Sequence, residues 1–512
     1  MATATTPGNE QGPLNFDSEF CGRVPLNQTN LVQPHGMLLV VERKTGRILQ
    51  CSENSSDFID IAPSELAGKP LASLVSATEY ELLENRLNSV REGKFPHTVH
   101  INGRALLFVV EPGNDYLLME AERLDPAQPS FVDVFEPLKY VMAAIEGTEG
   151  VEEACRLIAR ELKNFSGFDK VMVYRFDKDW NGEVIAEEKE EGMEAYLHQF
   201  FPASDIPKQA RELYRKNPFR LIPNVNYTPI RLYPVLNPLT QSFTDLANSN
   251  LRSVAGVHIE YLRNMQVEAS MSTRILKGGK LWGLIACHHR TPRYLGYQEC
   301  SVFELLSTFI TAKIGAVEDA QVARQKAEGH AALAQITETA YRAGDLNEGL
   351  EQEQEALFQV LSADGVALVR GREVRRWGST PSLTEVQDLV YWLQTHNIQS
   401  LYQQSSLALV YEGAEEFADN ASGLLALPIV PERGHYLLAF RREAVRRIDW
   451  GGNPNEAIQF EADGKRYHPR NSFQLWQQTL TQTSPEWTDT EEQIAERFRQ
   501  FLMEYALKAS PL

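Results

Sequence analysis

At 512 residues the chain is long enough for about three domains, and its 43% hydrophobic and 23% charged residues suit a globular protein with ordinary cores. A formal charge of −19 argues against non-specific nucleic-acid binding. No apolar run approaches the roughly 20 residues needed to cross a bilayer, Met1 to Gln11 lacks the apolar centre of a signal peptide, and the five scattered cysteines (Cys21, Cys51, Cys155, Cys287, Cys300) form neither a disulfide framework nor a CxxC metal site, so a cytoplasmic location is expected.

Residues 1–18 read as a flexible arm, and Cys21 to Gln33 as an irregular lead-in. Strands are predicted at Leu38–Val41 and Arg47–Cys51 across a Thr45-Gly46 turn, a helix at Ser73–Val90, and a strand pair at Ala105–Val110 and Tyr116–Glu120 around Pro112-Gly113. Asp125 to Ser130 marks a boundary. Helices follow near Phe135–Ala144 and Val151–Asn164, then a strand at Val171–Phe176.

From Phe200 to about Asn250 the chain is irregular and carries Pro202, Pro207, Pro218, Pro223, Pro229, Pro234 and Pro238. A stretch this long inside a compact domain is usually functional or disordered, and its apolar content favours function. Ala269–Leu276 and Leu281–His288 read as a hairpin across Gly278-Gly279. Phe303, Leu306, Ile310, Ile314 and Val317 then recur at 3-4-4-3 spacing, one face of a helix continuing to about Tyr341. About 45 residues at 1.5 Å each span on the order of 65 Å. That is too long for burial in one small domain and suits an interdomain spine and a dimer seam.

A third unit carries a predicted helix at Leu350–Leu361 and strands at Gly365–Arg370, Glu373–Trp377, Leu424–Val430 and Tyr436–Arg441. Between Arg442 and Trp487 lies a second excursion of weak periodicity. It holds Trp450-Gly451-Gly452-Asn453-Pro454 and His468-Pro469-Arg470-Asn471-Ser472-Phe473. A helix at Thr488–Leu507 closes the chain, capped by Asp489 or Thr490, with Ile494, Phe498, Phe501, Leu502 and Tyr505 as its apolar stripe.

The segment Pro202-Ala203-Ser204-Asp205-Ile206-Pro207 admits two readings. The plain one is a turn whose Asp205 caps a helix over Lys208–Lys216. The other is an acid held by flanking prolines in a fixed pose within apolar surroundings, where it needs a cation or hydrogen-bond donors. The run Cys287-His288-His289 invites a metal reading, but strand alternation sends neighbours to opposite faces, and no metal site is expected.

Taken with Cys21, Tyr261-Leu262-Arg263-Asn264-Met265, Trp282 to His289 and Arg470 after Pro469, that segment makes the chain resemble bacterial phytochromes from about Phe20 to Leu507. The resemblance implies an α+β fold of three consecutive antiparallel-sheet domains: PAS over 19–125, GAF over 130–318 and PHY over 319–512. A long helical spine would join them. The N-terminal segment near Val32 would thread a GAF lasso over Val225–Ala255, a PHY tongue would cover about 442–487, and 488–507 would be the output helix.

It implies a red/far-red photoreceptor that binds biliverdin IXα in the GAF domain through a thioether to Cys21. Val257, not cysteine, precedes His258, which departs from plant-type relatives and favours Cys21. In the pocket, Asp205, with Ile206 and Pro207, would organise the pyrrole nitrogens, and His258 would stack near them. Arg220 and Arg252 would pair with a propionate, and Tyr214, Ser270 and Ser272 would add hydrogen bonds to it. Tyr174, Phe201 and Tyr261 would wall the ring that rotates, and His288 would bond that ring's carbonyl. Arg470 would form a bidentate pair with Asp205 as the switch contact. Relatives commonly carry Ser-Pro where this chain has Ala255-Gly256.

A homodimer through the spine is implied, with no membrane partner. No phospho-acceptor helix or ATP-binding glycine boxes follow Leu507, so no enzymatic activity is expected of this segment; a histidine kinase output acting on a response regulator is expected in the full protein. Two other readings stay open: a GAF-type small-molecule sensor without bilin, and a tetrapyrrole-processing enzyme. The latter lacks a dinucleotide glycine fingerprint after any strand.

Overall fold

The computed structural model describes residues 26–90, 93–124, 131–456, 458–460 and 467–509. Cys21 and the arm expected over 1–18 lie outside them. The chain divides into two compact units, Met1–Gly315 with Asp449–Trp476 and Ala316–Ile448 with Gln477–Leu512.

The first unit contains a seven-stranded antiparallel sheet. Its order is Leu31–Val32, Ile230–Tyr233, Ile48–Ser52, Met37–Glu42, Tyr116–Arg123, Arg104–Pro112 and Phe95–Ile101. Alternation along Met37–Glu42 feeds two cores. Met37, Leu39 and Val41 pack with Phe58, Leu66, Leu83 and Phe108 on one face. Leu38 and Val40 pack on the other with Val32, Leu232, Leu246 and Leu251. The second core is therefore built partly from the proline-rich excursion, which also lends its strand Ile230–Tyr233 to this sheet. Leu31–Val32 is gripped on both sides: it pairs with Ile230–Arg231, Val32 also bridges to Arg252, and the Gln33 N–H donates to the Leu251 carbonyl at 2.7 Å.

A second sheet in this unit runs Phe219–Ile222, Ala269–Lys277, Lys280–His289, Lys170–Phe176, Gly182–Lys189 and Phe200–Phe201. These six strands pair antiparallel, and Trp450 of the same unit pairs in parallel with Phe200. The period of two again sorts the side chains. Val171, Val173, Met271, Ile285 and Cys287 join the core under helices Phe131–Glu146, Val151–Ser166 and the start of Tyr297–Ala343. Met172, Tyr174, Ser270, Ser272, Leu284, Ala286 and His288 face the other way and line a cavity.

The helix Tyr297–Ala343 has 47 residues, close to the expected span. It contains an 18-residue stretch apolar enough to cross a membrane by length and composition, with mean hydropathy 1.4. Its Phe303, Leu306, Ile310 and Ile314 are fully buried in the core of the first unit, which accounts for that apolar face.

The second unit has a five-stranded antiparallel sheet, ordered Glu373–Gly378, Gly365–Arg370, His435–Arg441, Gly423–Val430 and Tyr402–Gln404. Helix Leu383–Thr395 covers one face. The other packs on Asp489–Ala509 and the short helices Leu346–Gln352 and Gln354–Leu361. Two expectations are corrected here. The helix predicted over Leu350–Leu361 is broken at Glu353, whose φ of −115° and ψ of 42° are not helical. The last helix is capped by Thr488, not Asp489 or Thr490: the Thr488 hydroxyl accepts from the Glu491 N–H at 3.3 Å while the Thr488 N–H donates to the Glu491 carboxylate at 2.7 Å.

Candidate functional site

The second sheet of the first unit, helix Lys208–Lys216, helix Gly256–Asn264 and Pro469 enclose a cavity of about 250 Å³. Ala203–Asp205 forms one 3-10 turn between Pro202 and Pro207, closed by the Asp205 N–H donating to the Pro202 carbonyl at 3.0 Å. Arg211, one turn into the following helix, donates to the Ile206 carbonyl at 2.7 Å and fixes the turn from behind. That helix is preceded by Pro207 with no side-chain cap, so Asp205 caps nothing and the plain reading of the segment fails. Its carboxylate instead accepts from the Tyr261 hydroxyl at 2.9 Å and pairs with Arg470.

The side chains of Arg470 and Asp205 are only 2% and 6% exposed, so this is a desolvated pair. It is not the bidentate pair expected. Only Nη2 of Arg470 meets the carboxylate, and among the described residues buried Nε and Nη1 have no hydrogen-bond acceptor in reach. The guanidinium lies instead over the rings of Phe201 and Phe473, at 5.5 and 5.0 Å. Burial pushes the Asp205 carboxyl up in pKa, and Arg470 and Tyr261 offset part of that rise. Burial alone would push Arg470 down, but Asp205 and then Tyr261 raise it. The backbone around Arg470 is tied down too. Asn264 donates to its carbonyl at 3.1 Å, and His468 lies 3.0 Å from the Glu260 carboxylate. Gly452 permits the arrangement: its φ is +100°, and a Cβ there would fall 2.4 Å from the Ser472 carbonyl and 3.2 Å from Arg470.

Tyr174, Phe201 and Tyr261 do form one wall. Tyr174 and Phe201 lie 6.1 Å apart, Tyr261 meets Phe473 edge-on at 5.0 Å, and His258 stacks on Tyr261 at 6.0 Å. Burial, then the charge of Asp205, holds both phenols protonated, so Tyr261 remains a donor. Gly182 makes room for Tyr174, since a Cβ there would sit 1.7 Å from its ring. His258 and His288 both face the cavity. Burial, then Arg220, lowers His258 to about 4; burial, then Lys170, lowers His288 to about 3. Both imidazoles are therefore neutral near pH 7.

At another part of the lining sit two arginines. Arg220 donates to the Asn250 carbonyl at 3.1 Å and also to that of Arg252. Arg252 donates to the Leu26 carbonyl at 3.1 Å, while its Nε is buried without a partner. Among the described residues no carboxylate pairs with either. Burial, then Arg220, brings Arg252 down to about 9. Two adjacent buried cations with unused donors suit an anionic ligand group. The Tyr214 hydroxyl and Ser272 Oγ lie 2.6 Å apart nearby, and Ser270 lines the same wall. The chemistry thus fits a long, mostly apolar ligand with hydrogen-bonding nitrogens near Asp205 and carboxylates near Arg220 and Arg252.

Every expected pocket residue from Tyr174 to His288 lines this cavity, including Ile206 and Pro207, and Arg470 meets Asp205 beside it. Cys21 lies outside the described residues. The sequence reading missed Arg211, Tyr196 and Phe473, whose apolar or basic character carries no local motif. Among the described residues there is no His/Cys/Asp/Glu group able to hold a metal.

Sequence models of three families match in order: a PAS fold over residues 21–122, a GAF domain over 150–314 and the phytochrome region over 329–510. Cyanobacterial phytochrome B of Nostoc sp. is 36% identical over 503 residues, covering 97% of this chain and 67% of the relative. A bacteriophytochrome of Xanthomonas campestris pv. campestris is 32% identical over 507 residues, covering 95% and 77%. The chain spans about two thirds of the length of its cyanobacterial relatives. Among solved structures, a bacteriophytochrome from the photosynthetic bacterium R. palustris superposes with a TM-score of 0.84 at 31% identity, covering 96% of this chain and 99% of that one. The Stigmatella aurantiaca phytochrome photosensory core module gives 0.83 at 32%, covering 97% and 99%. Sequence, fold and cavity agree, and the chain belongs to the phytochrome family of photoreceptors, with PAS, GAF and PHY regions in that order.

Proposed function

We propose that this chain is the sensory module of a red/far-red light receptor that holds biliverdin IXα in the 250 Å³ cavity, joined by a thioether to Cys21. The observation that carries the reading is one cavity lined both by a buried acid, Asp205, and by two arginines, Arg220 and Arg252, unpaired with any described carboxylate. Bound, the pigment supplies red absorption and a light-driven isomerisation at the double bond leading to its last ring.

The chain's own residues do the rest. Arg220 and Arg252 hold the propionates, with Tyr214, Ser270 and Ser272 beside them. Asp205, through its carboxylate and backbone carbonyl, orients the pyrrole nitrogens. Neutral His258 exchanges protons near them, and neutral His288 bonds the last ring's carbonyl. Tyr174, Phe201 and Tyr261 exclude water around that ring. The Asp205–Arg470 contact is the switch. A buried pair held through one nitrogen can be released as a unit, together with segment 442–487. Inverting a two-state population needs a differential of about 5 kcal/mol, which a buried ion pair plus refolding of that segment can approach.

The same reading gives domain limits of 19–125, 130–318 and 319–512, and threads Val32 through 225–255. It has the chain dimerise through Tyr297–Ala343, sit in the cytoplasm, act as no enzyme itself and drive a histidine kinase and its response regulator. The test is direct. Biliverdin is mixed with the chain, which is then denatured and examined for zinc-induced fluorescence of attached pigment. The parent should fluoresce and show a reversible red/far-red difference spectrum. A Cys21→Ala variant that still holds pigment covalently would refute the attachment, and no difference spectrum from the parent would refute the receptor reading.

A further inference from the structure

The pocket cations do not stand on pocket residues alone. Arg220 is oriented by the carbonyls of Asn250 and Arg252, so its direction follows the backbone of 248–252. That segment is held from the far side by two side chains of the seven-stranded sheet, Glu120 and Glu111, and by Lys94, just ahead of its edge strand. Glu120 accepts from the Ser249 hydroxyl at 2.5 Å and the Leu251 N–H at 3.0 Å. Lys94 donates to the Asn250 side-chain oxygen at 3.1 Å and to that of Asn217 at 3.3 Å. Glu111 accepts from the Asn248 side chain at 2.8 Å. Lys94 and Glu120 also face each other at 3.9 Å, with side chains only 14% and 7% exposed. An ion pair this buried costs desolvation, and here both members bond residues of the segment that aims Arg220.

We propose that Lys94 and Glu120 are positioning residues for the Arg220–Arg252 cation pair, and that through segment 248–252 they set the cavity's preference for a ligand bearing carboxylates. The inference rests on the pigment reading above. Neither residue touches the cavity that would hold the ligand; both act through Ser249, Asn250 and Leu251 of the segment whose carbonyls aim Arg220. Guanidinium recognition of carboxylate depends on direction as well as charge. A loosened segment therefore weakens recognition of the anion and leaves recognition of the apolar rings in place.

Biliverdin carries two propionate carboxylates and its dimethyl ester carries none, so the pair isolates the effect. Affinities for both are measured at equilibrium in a Cys21→Ser background, where binding is reversible. The parent should favour biliverdin. Lys94→Met and Glu120→Ala should each lose about tenfold of that preference, with affinity for the ester unchanged. Lys94→Arg, which keeps the donors, should retain it. Should Glu120→Ala fail to fold, Lys94→Met keeps both Glu120 bonds and decides the matter alone. Equal losses for both ligands, or an unchanged ratio, would overturn the inference while leaving the pigment reading intact. A parent that binds neither ligand would overturn the pigment reading, and this inference with it.

Discussion

Arg470 reaches Asp205 through one nitrogen and spends the rest of its guanidinium on the rings of Phe201 and Phe473. The contact is buried and under-used at once, which is the condition of a group able to change partners. Removing one member of a buried pair leaves the other uncompensated. Arg470→Ala should therefore release segment 449–476 from the cavity at a cost of about 3 kcal/mol, raising its rate of proteolytic cleavage roughly a hundredfold. Arg470→Met combined with Asp205→Asn removes both charges and should restore most of the protection. Limited proteolysis followed by mass spectrometry checks both.

Gly182 is the only residue type its position tolerates. A methyl group 1.7 Å from the Tyr174 ring must push that ring out of its rotamer. Gly182→Ala should leave overall melting within about 3 kcal/mol of the parent while shifting the absorbance of bound pigment. Gly452→Ala, which adds an unfavourable φ to a 2.4 Å clash with the Ser472 carbonyl, should instead reproduce the Arg470→Ala proteolysis pattern.

The buried histidines give the pigment-free chain a pH dependence with a definite sign. His258 binds its proton at about 4 in the folded chain, and His288 and His35 at about 3, against 6.5 for the free side chain. Between those values the unfolded chain takes up protons that the folded chain refuses. The stability tied to neutral imidazoles is thus complete above pH 6.5 and is lost as pH falls, towards 4 for His258 and towards 3 for His288 and His35. Denaturant midpoints measured at about pH 7.5 and about pH 5 should differ by about 2 kcal/mol for each of these histidines. A His258→Gln variant should show a flatter dependence.

Helix Gly256–Asn264 starts from Ala255, which offers no side-chain cap, and a Cβ at Gly256 would meet open space. Ala255 has φ −59° and ψ 137°, a conformation that suits the residue before proline. Ala255→Ser with Gly256→Pro should therefore stabilise the chain by about 1–2 kcal/mol, through a cap and a stiffer first turn. Thermal melting with and without pigment checks the sign.

The cavity residues were legible through the family resemblance, and strand alternation agrees with where they fall. Once Val171–Phe176 and the 269–288 hairpin are read as strands, Tyr174, Ser270, Ser272 and His288 fall on one face together. The pairing of Asp205 with Arg470, 265 residues away, came only from family resemblance. What stayed hidden had specific causes. Strand Phe95–Ile101 contains Pro96, which argues against a central strand, and the strand is indeed at the sheet's edge. Strand Gly182–Lys189 ends in acids that read as a solvated turn. Helix Leu383–Thr395 was signalled by Ser382 and Glu385, a capping box that was overlooked. The single-nitrogen contact of Arg470 with Asp205 depends on how two segments 265 residues apart meet, and no spacing encodes that.

The strand Ile230–Tyr233 sits between Leu31–Val32 and Ile48–Ser52 in a single sheet. This bears on how far the molecule can be taken apart. Severing the chain between Leu124 and Phe131 would yield two pieces that co-purify, because parting them means tearing strands out of a shared sheet. Produced separately, the early piece would lack the strand that joins Leu31–Val32 to the rest, and the late piece would carry a strand with no neighbours. Transplanting the cavity into another scaffold therefore requires both pieces, even though among the described residues every charged side chain lining the cavity comes from the late one.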